Sequence, residues 1–257
     1  MRILIVGDVH GKHRELAGAL REIQSLYGIR AAIQVGDFGF YRTVMAQLRD
    51  ERIRFPVPLH VIDGNHEDHA WLRRALLTGA ARHWKDEANL IYQPRPSLAR
   101  FENSVIGFLG GALHVDRPQQ HNLLSRFPNY LLRQQRHQAV TLFNRERPRL
   151  IITHSCPAGI GIGMHGAADL AQGVREHIVD AGFDPGPEKD CGEIELQKLW
   201  KDLEYRPDGW AFGHFHRPHA VTVEGTRFVS VGSDLPGFQH EFVLWDTDEK
   251  KLLTVRR

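Results

Sequence analysis

The chain has 257 residues, 42% of them apolar, enough for one larger α/β domain or two small ones with a sizeable core. Its formal charge of +2 lacks the basic excess of a chain built to track a phosphate backbone, and its two cysteines, Cys156 and Cys191, form no CxxC pair that would support a thiolate zinc site or a redox motif. No run approaches the roughly 18 apolar residues of a membrane span, and the start MRILIVGDVHG lacks the apolar core and cleavage site of a signal peptide, so a cytoplasmic, membrane-free protein with two reduced, buried thiols is expected.

In chain order, RILIV (2–6), AAIQV (31–35), LHVI (59–62), VIGFL (105–109), LIIT (150–153) and WAF (210–212) are too short for helices and too continuous for half-exposed strands. They predict buried strands of a layered α/β fold. Between the first two, Leu16, Ala17, Leu20, Ile23, Leu26 and Tyr27 recur at helical spacing and Gly28 supplies a stop, which makes a βαβ unit. A second helix is expected after His66, with Trp71, Leu72, Ala75 and Leu76 on one face before Gly79, and a third over Ile194 to Leu203. HAVTVEGTRFVSVGS and EFVLWDTDEKKLLTV alternate and break at turn residues, predicting two hairpins; with no helical crossover between them, the last strands are expected to be antiparallel. Residues 114–135 and 155–192, rich in Gly, Pro, His and Asn, are expected to be irregular loops, and Arg145, Arg147 and Arg149 a solvated patch. No internal repeat or interdomain linker is evident, so one domain over residues 1–257 is expected.

The sixteen histidines are the outlier in composition. Five predicted strands run straight into polar clusters: Gly7-Asp8-Val9-His10-Gly11, Gly36-Asp37, Asp63-Gly64-Asn65-His66, His154, and Gly213-His214-Phe215-His216. In an open α/β sheet, ligands bind beyond the carboxyl ends of the strands. Each cluster alone has an ordinary explanation, because an Asp after a strand often caps a helix or makes a turn, and a loop histidine is usually solvated. Gly-x-x-x-Gly around Asp8 also lacks the full nucleotide-loop patterns. Together the clusters offer oxygen and imidazole without thiolate, a set suited to Mn²⁺, Fe or Zn²⁺, and the seven candidates are too many for one tetrahedral ion.

DVH (8–10), GD (36–37), GNHE (64–67), His154 in THSCP and GHFH (213–216) stand in the order and pattern of the calcineurin-like metallophosphoesterases, which this sequence resembles over residues 3 to 216. The resemblance implies two mixed β-sheets packed as a sandwich and flanked by helices. It also implies two divalent ions, Mn²⁺ first, with Fe or Zn²⁺ as alternatives. Asp8, His10 and His216 would hold one ion, Asn65, His154 and His214 the other, with Asp37 between them. Two dications about 3.5–4 Å apart repel, so a bridging carboxylate suits that position; neutral ligands elsewhere leave positive charge that makes a shared water a hydroxide nucleophile. His66 is implied as the general acid that protonates the leaving oxygen of a phosphomonoester or phosphodiester.

Relatives such as the Ser/Thr protein phosphatases carry G-D-x-x-D-R, where this chain has GDFGFYR. Phe40 stands where the second Asp would steady the catalytic His, and Tyr41 where Arg would grip phosphate, leaving Asp63, Glu67 or Asp68 as candidates to orient His66. GDF, GNHE, IGFLGG (106–111), HSCP and GHFH also resemble the RNA-lariat debranching branch, which commonly has Cys where Asp8 stands here. His114 and Arg117 in GGALHVDR, and His165 in GIGIGMHG, are candidate substrate-binding residues. The near-neutral charge favours a small-molecule or nucleotide phosphoester, with RNA or DNA as the alternative. A non-catalytic scaffold, as in the superfamily's retromer subunit, is the rival from another class, and seven intact ligands argue against it. A hydrolase with Ser155 or Cys156 as nucleophile is weaker, because no elbow glycines flank the serine.

Overall fold

A computed structural model describes residues 1–113, 129–160, 172, 174–180, 182, 192–232 and 241–256. It contains two six-stranded mixed sheets. In the first, β1 (Arg2–Val6), β2 (Ala31–Gln34), β3 (Leu59–Val61) and β4 (Leu90–Tyr92) run parallel, and β11 (Glu241–Asp246) and β12 (Lys251–Arg256) complete the order β12-β11-β1-β2-β3-β4. The second has the order β5-β6-β7-β8-β10-β9, formed by β5 (Ser97–Phe101), β6 (Ser104–Leu109), β7 (Leu150–Thr153), β8 (Gly209–Phe212), β9 (His219–Val223) and β10 (Thr226–Ser230).

The two-residue period of a strand separates the cores. Ile3 and Ile5 of β1, with Ile33, Val35 and Ile62, point between the sheets onto Ile106, Phe108, Ile152, Ala211 and Val229. Leu4 and Val6, one residue out of phase, point to the opposite face and pack under α1 (His13–Tyr27), α2 (Arg42–Asp50), α3 (His69–Leu77) and α4 (Trp84–Ala88). The second sheet's outer face is covered by α5 (Arg133–Glu146) and α6 (Ile194–Asp202) through Phe143, Leu199, Trp200, Trp210 and Phe228. The result is four layers, helix, sheet, sheet, helix. A strand buried on both faces is mostly apolar, which is why β1 reads ILIV after the exposed Arg2 and β7 LII before Thr153.

The βαβ start is as the periodicity predicts, except that Leu26, grouped with the apolar face, is exposed to solvent. Leu16, Ala17, Leu20 and Ile23 are the buried face of α1, and Gly28 at φ 63° ends it by returning its N–H to Gln24. α3 opens on Asp68, whose carboxylate accepts from the Trp71 N–H at 2.9 Å.

Both C-terminal hairpins form, but the expectation of antiparallel pairing throughout is corrected at one seam. β10 lies parallel to β8, because β9 reverses the chain on the outer edge and lets β10 return beside β8 without a helical crossover. Within the segments expected to be irregular, α5 begins at Arg133 and Val174–Val179 forms a short π-helical stretch. Arg145, Arg147 and Arg149 are exposed, as a solvated patch requires. Cys156 is fully buried, and Cys191 lies outside the described residues. Among the described residues no helix is long and apolar enough to cross a membrane.

Candidate metal centre

The polar clusters after β1, β2 and β3 of one sheet and after β7 and β8 of the other meet where the two sheets converge. His216 Nε2 lies 3.0 Å from Asp8 Oδ2 and 3.3 Å from His10 Nε2. His154 Nε2 lies 3.0 Å from Asn65 Oδ1 and 3.4 Å from Asp37 Oδ2, and the His214 ring centroid sits 5.0 Å from that of His154. Two triads have all their ligand atoms within 4.8 Å of one another: Asp8, His10 and His216, and Asp8, Asp37 and His154. Asp8 belongs to both. This all-oxygen-and-imidazole set fits hard or borderline divalent ions, and two overlapping triads fit a pair of them.

Backbone conformation aims these groups. His10, Asp37, His214 and His216 adopt φ of 49°, 55°, 69° and 54°, the left-handed region that non-glycine residues rarely occupy. The same conformation occurs at ordinary turns such as Arg52 and Glu224, but four instances among the candidate ligands set the direction of those side chains. Asp37 is tied further by the His66 N–H at 2.8 Å, and Asp8 by the His214 N–H at 3.1 Å. Gly64 lies so close that a Cβ there would come within 2.7 Å of His154 Nε2 and 2.5 Å of the Asp37 nitrogen, so any side chain in this turn would force those groups to shift.

The electrostatics follow from burial of opposite charges. Burial opposes ionisation of Asp37, but the His154 imidazole beside it, followed by the His66 ring and N–H, outweighs that and holds the carboxyl below the usual carboxylate range. Burial likewise disfavours a charged His154, yet Asp37 and Asp8 together raise it above an ordinary imidazole, while Nδ1 bonds the Val35 carbonyl at 2.7 Å. A metal ligand must be a neutral imidazole, so His154 would have to give up its extra proton to hold an ion. His10 stands exposed at the rim, and the partial desolvation of its ring, against the pull of Asp37 and Asp8, lowers its pKa.

His66 is half-buried at the rim, its ring centroid 5.5 Å from that of His10. The three carboxylates considered for orienting it are committed elsewhere. Glu67 accepts from the N–H groups of Phe38, Gly39 and Phe40, fixing the loop that leaves Asp37. Asp68 caps α3, and Asp63 pairs with Arg95 and accepts from the Tyr92 hydroxyl at 2.9 Å. Phe40 is fully buried and stacks on Trp84, so the residue at the position of the relatives' second Asp serves the core. Ser155 and Cys156 are both fully buried, which leaves the serine or cysteine nucleophile without access. His114, Arg117 and His165 lie outside the described residues.

Sequence reasoning missed the Glu67 anchor and Arg95. The signal for Glu67 was its place inside GNHE; the signal for Arg95 was the Gly110-Gly111 pair, where a Cβ on either residue would strike Asp63 or Arg95.

Structural comparison finds the same fold in TT1561 of Thermus thermophilus, at 13% identity and a TM-score of 0.56, covering 99% of this chain and 98% of that one. A protein named as a candidate 5'-nucleotidase, from Staphylococcus aureus and in complex with alpha-ketoglutarate, matches at 14% identity and a TM-score of 0.56, with 99% of this chain covering 52% of that one. GAP50, the anchor in the inner membrane complex of Plasmodium, matches at 13% identity and a TM-score of 0.52, covering 95% of this chain and 80% of that one. No curated protein matches by sequence. The family model for calcineurin-like phosphoesterases matches residues 1–228, spanning all five strand-end clusters. The chain therefore belongs to the calcineurin-like phosphoesterase family.

Proposed function

We propose that this chain is a dinuclear metal-dependent phosphoester hydrolase built as one domain over residues 1–257. The observation that carries the reading is the pair of triads that overlap at Asp8, assembled from strand ends of both sheets; Asn65 and His214 flank His154 in the second, and the family pattern supports the bridging place for Asp37. Asp8, His10 and His216 would hold one ion and Asn65, His154 and His214 the other, with Asp37 shared. Mn²⁺ is the first candidate and Fe or Zn²⁺ the next. When bound, the ions supply positive charge that acidifies water and offsets the charge developing on the phosphoryl oxygens.

The chain's own residues do the rest. Asp37, held by the His66 N–H, keeps its carboxylate aimed into the centre. His66, at the rim, gives its ring proton to the departing oxygen. His10 and His216 are the exposed members of the set, so substrate approaches from their side. A formal charge of +2 favours a small-molecule or nucleotide ester over a polymer, and the absence of a thiolate motif and of a long apolar run supports a cytoplasmic location.

The test is to strip the protein of metal, restore Mn²⁺, Zn²⁺, Fe²⁺ or Mg²⁺ singly, and assay a panel of mono- and diesters. Metal-dependent hydrolysis is expected. Its absence on every ester overturns the reading in favour of a scaffold. Turnover of RNA or DNA that falls steeply with salt moves the substrate class to nucleic acid.

A further inference from the structure

One buried ion pair lies behind the centre, with no part in the ligand set. Asp63 and Arg95 are 3% and 7% exposed and pair directly. Asp63 stands two residues before Asn65 in the turn that leaves β3, in the first sheet. Arg95 lies between β4 and β5, where the chain passes from the first sheet to the second. Its remaining N–H groups reach the carbonyls of Asn129 at 3.0 Å and Tyr130 at 3.1 Å, and Asn129 is doubly joined to Ala112, by Ala112 N–H to Asn129 O at 3.0 Å and by Asn129 Nδ2 to Ala112 O at 2.9 Å. The Gly111 N–H closes the circuit onto the Asp63 carbonyl at 2.7 Å.

This circuit bears on the centre through strand register. Gly110 follows Leu109, the last residue of β6, and Leu109 pairs with Thr153, the residue before His154. Asn65 and His154 therefore come from different sheets, yet their side chains stand 3.0 Å apart. The ladders act within a sheet and do not set that spacing; across the sheets His154 is held through Nδ1 to the Val35 carbonyl at 2.7 Å, and the Asn65 turn is held by the Gly111 N–H and by Arg95. Arg95 joins the two at the edge where the spacing matters. Its planar fork meets a carboxylate and two carbonyls at once, which a lysine cannot reproduce. The bare Gly110-Gly111 backbone is the room this arrangement needs, since a Cβ on Gly110 would strike Asp63 and one on Gly111 the guanidinium.

We infer that Arg95 is a positioning residue of the metal centre: paired with Asp63, it fixes the Asn65 turn of the first sheet against the His154 strand end of the second. This rests on the dinuclear reading and adds to it, because it assigns control of the Asn65 and His154 position alone. Asp8, His10 and His216 are carried by the ends of β1 and β8, which the Arg95 circuit does not join.

The test is Mn²⁺ titration of full-length wild type and Arg95→Lys, read by calorimetry and by electron paramagnetic resonance, where two coupled ions differ from one isolated ion. Wild type is expected to show the coupled signal. Arg95→Lys is expected to weaken the second ion by about 10- to 100-fold, the range for residues that orient metal ligands, with the first ion unchanged and the isolated-ion signal in place of the coupled one. Should Arg95→Lys fail to fold, Asp63→Asn/Arg95→Gln, which leaves no unpaired buried charge, carries the same expectation. A coupled signal with wild-type affinity in the folded variant overturns the inference alone, even if its melting temperature falls. Wild type that binds no ion pair overturns the dinuclear reading and the inference with it.

Discussion

Gly64→Ala adds one methyl group to the turn between the two halves of the centre, and the structure sets the size of the effect. The new Cβ would collide first with Asp37 Oδ1, and would stand 2.5 Å from the Asp37 nitrogen and 2.7 Å from His154 Nε2. Ordinary non-bonded separations are about 3.5–4.0 Å, so these groups must move apart by roughly 1 Å. Overpacking of this kind costs about 1–3 kcal/mol, and at ~2–4 °C per kcal/mol for a domain of this size the melting temperature should fall by roughly 2–12 °C. The functional effect is larger, because a misplacement of about 1 Å in a catalytic constellation costs on the order of 100-fold in rate. Metal titration and turnover of a nitrophenyl ester should both fall, and turnover should fall more than the melting point implies. Gly28→Ala is the control: Gly28 has φ 63° and no atom within 4 Å of its would-be Cβ, so it should cost about 1–2 kcal/mol and leave metal affinity unchanged. Wild-type metal affinity and turnover in Gly64→Ala would refute the steric reasoning.

Three other outcomes follow from the same geometry. His66→Ala should lose turnover on alkyl esters far more than on nitrophenyl esters, which leave without a proton; equal losses on the two would remove the general-acid role. Glu67→Ala strips the acceptor from three N–H groups of the 38–40 loop, so hydrogen exchange should rise there first, with metal affinity falling through Asp37; unchanged exchange at Phe38 and Phe40 contradicts the anchor. Burial depresses His13 and His60 from an ordinary 6.5 to about 4, so between those values the unfolded chain binds more protons than the folded one. Their contribution is therefore complete above pH 6.5 and lost as the pH falls toward 4, and denaturant melts across that window should show it. His13→Phe should flatten part of the slope, and an unchanged slope would exclude His13 as a source.

The strand ends were legible in the sequence because a strand buried on both faces leaves a continuous apolar run, and the chemistry begins at the residue after it. RILIV before Asp8 and LIIT before His154 are instances. The pairing of the strands into two sheets was not legible from periodicity; it came from family resemblance. Helix α5 escaped because its buried face is Arg136, Ala139 and Phe143, so no apolar stripe marks it, and β5 escaped because only Phe101 is buried. The left-handed backbone at His10, Asp37, His214 and His216 leaves no trace in composition, because the turns that impose it are set by contacts between distant strand ends. Glu67 looked like a partner for His66 by proximity in sequence, but its carboxylate reaches across to the N–H groups of Phe38, Gly39 and Phe40.

Diffraction from crystals of the metal-free protein soaked in Mn²⁺, collected at the manganese edge, bears most directly on the dinuclear claim. Two anomalous peaks are expected, one among Asp8, His10 and His216, the other among Asn65, His154 and His214, with Asp37 between them. A single peak, or a pair elsewhere on the chain, would contradict it.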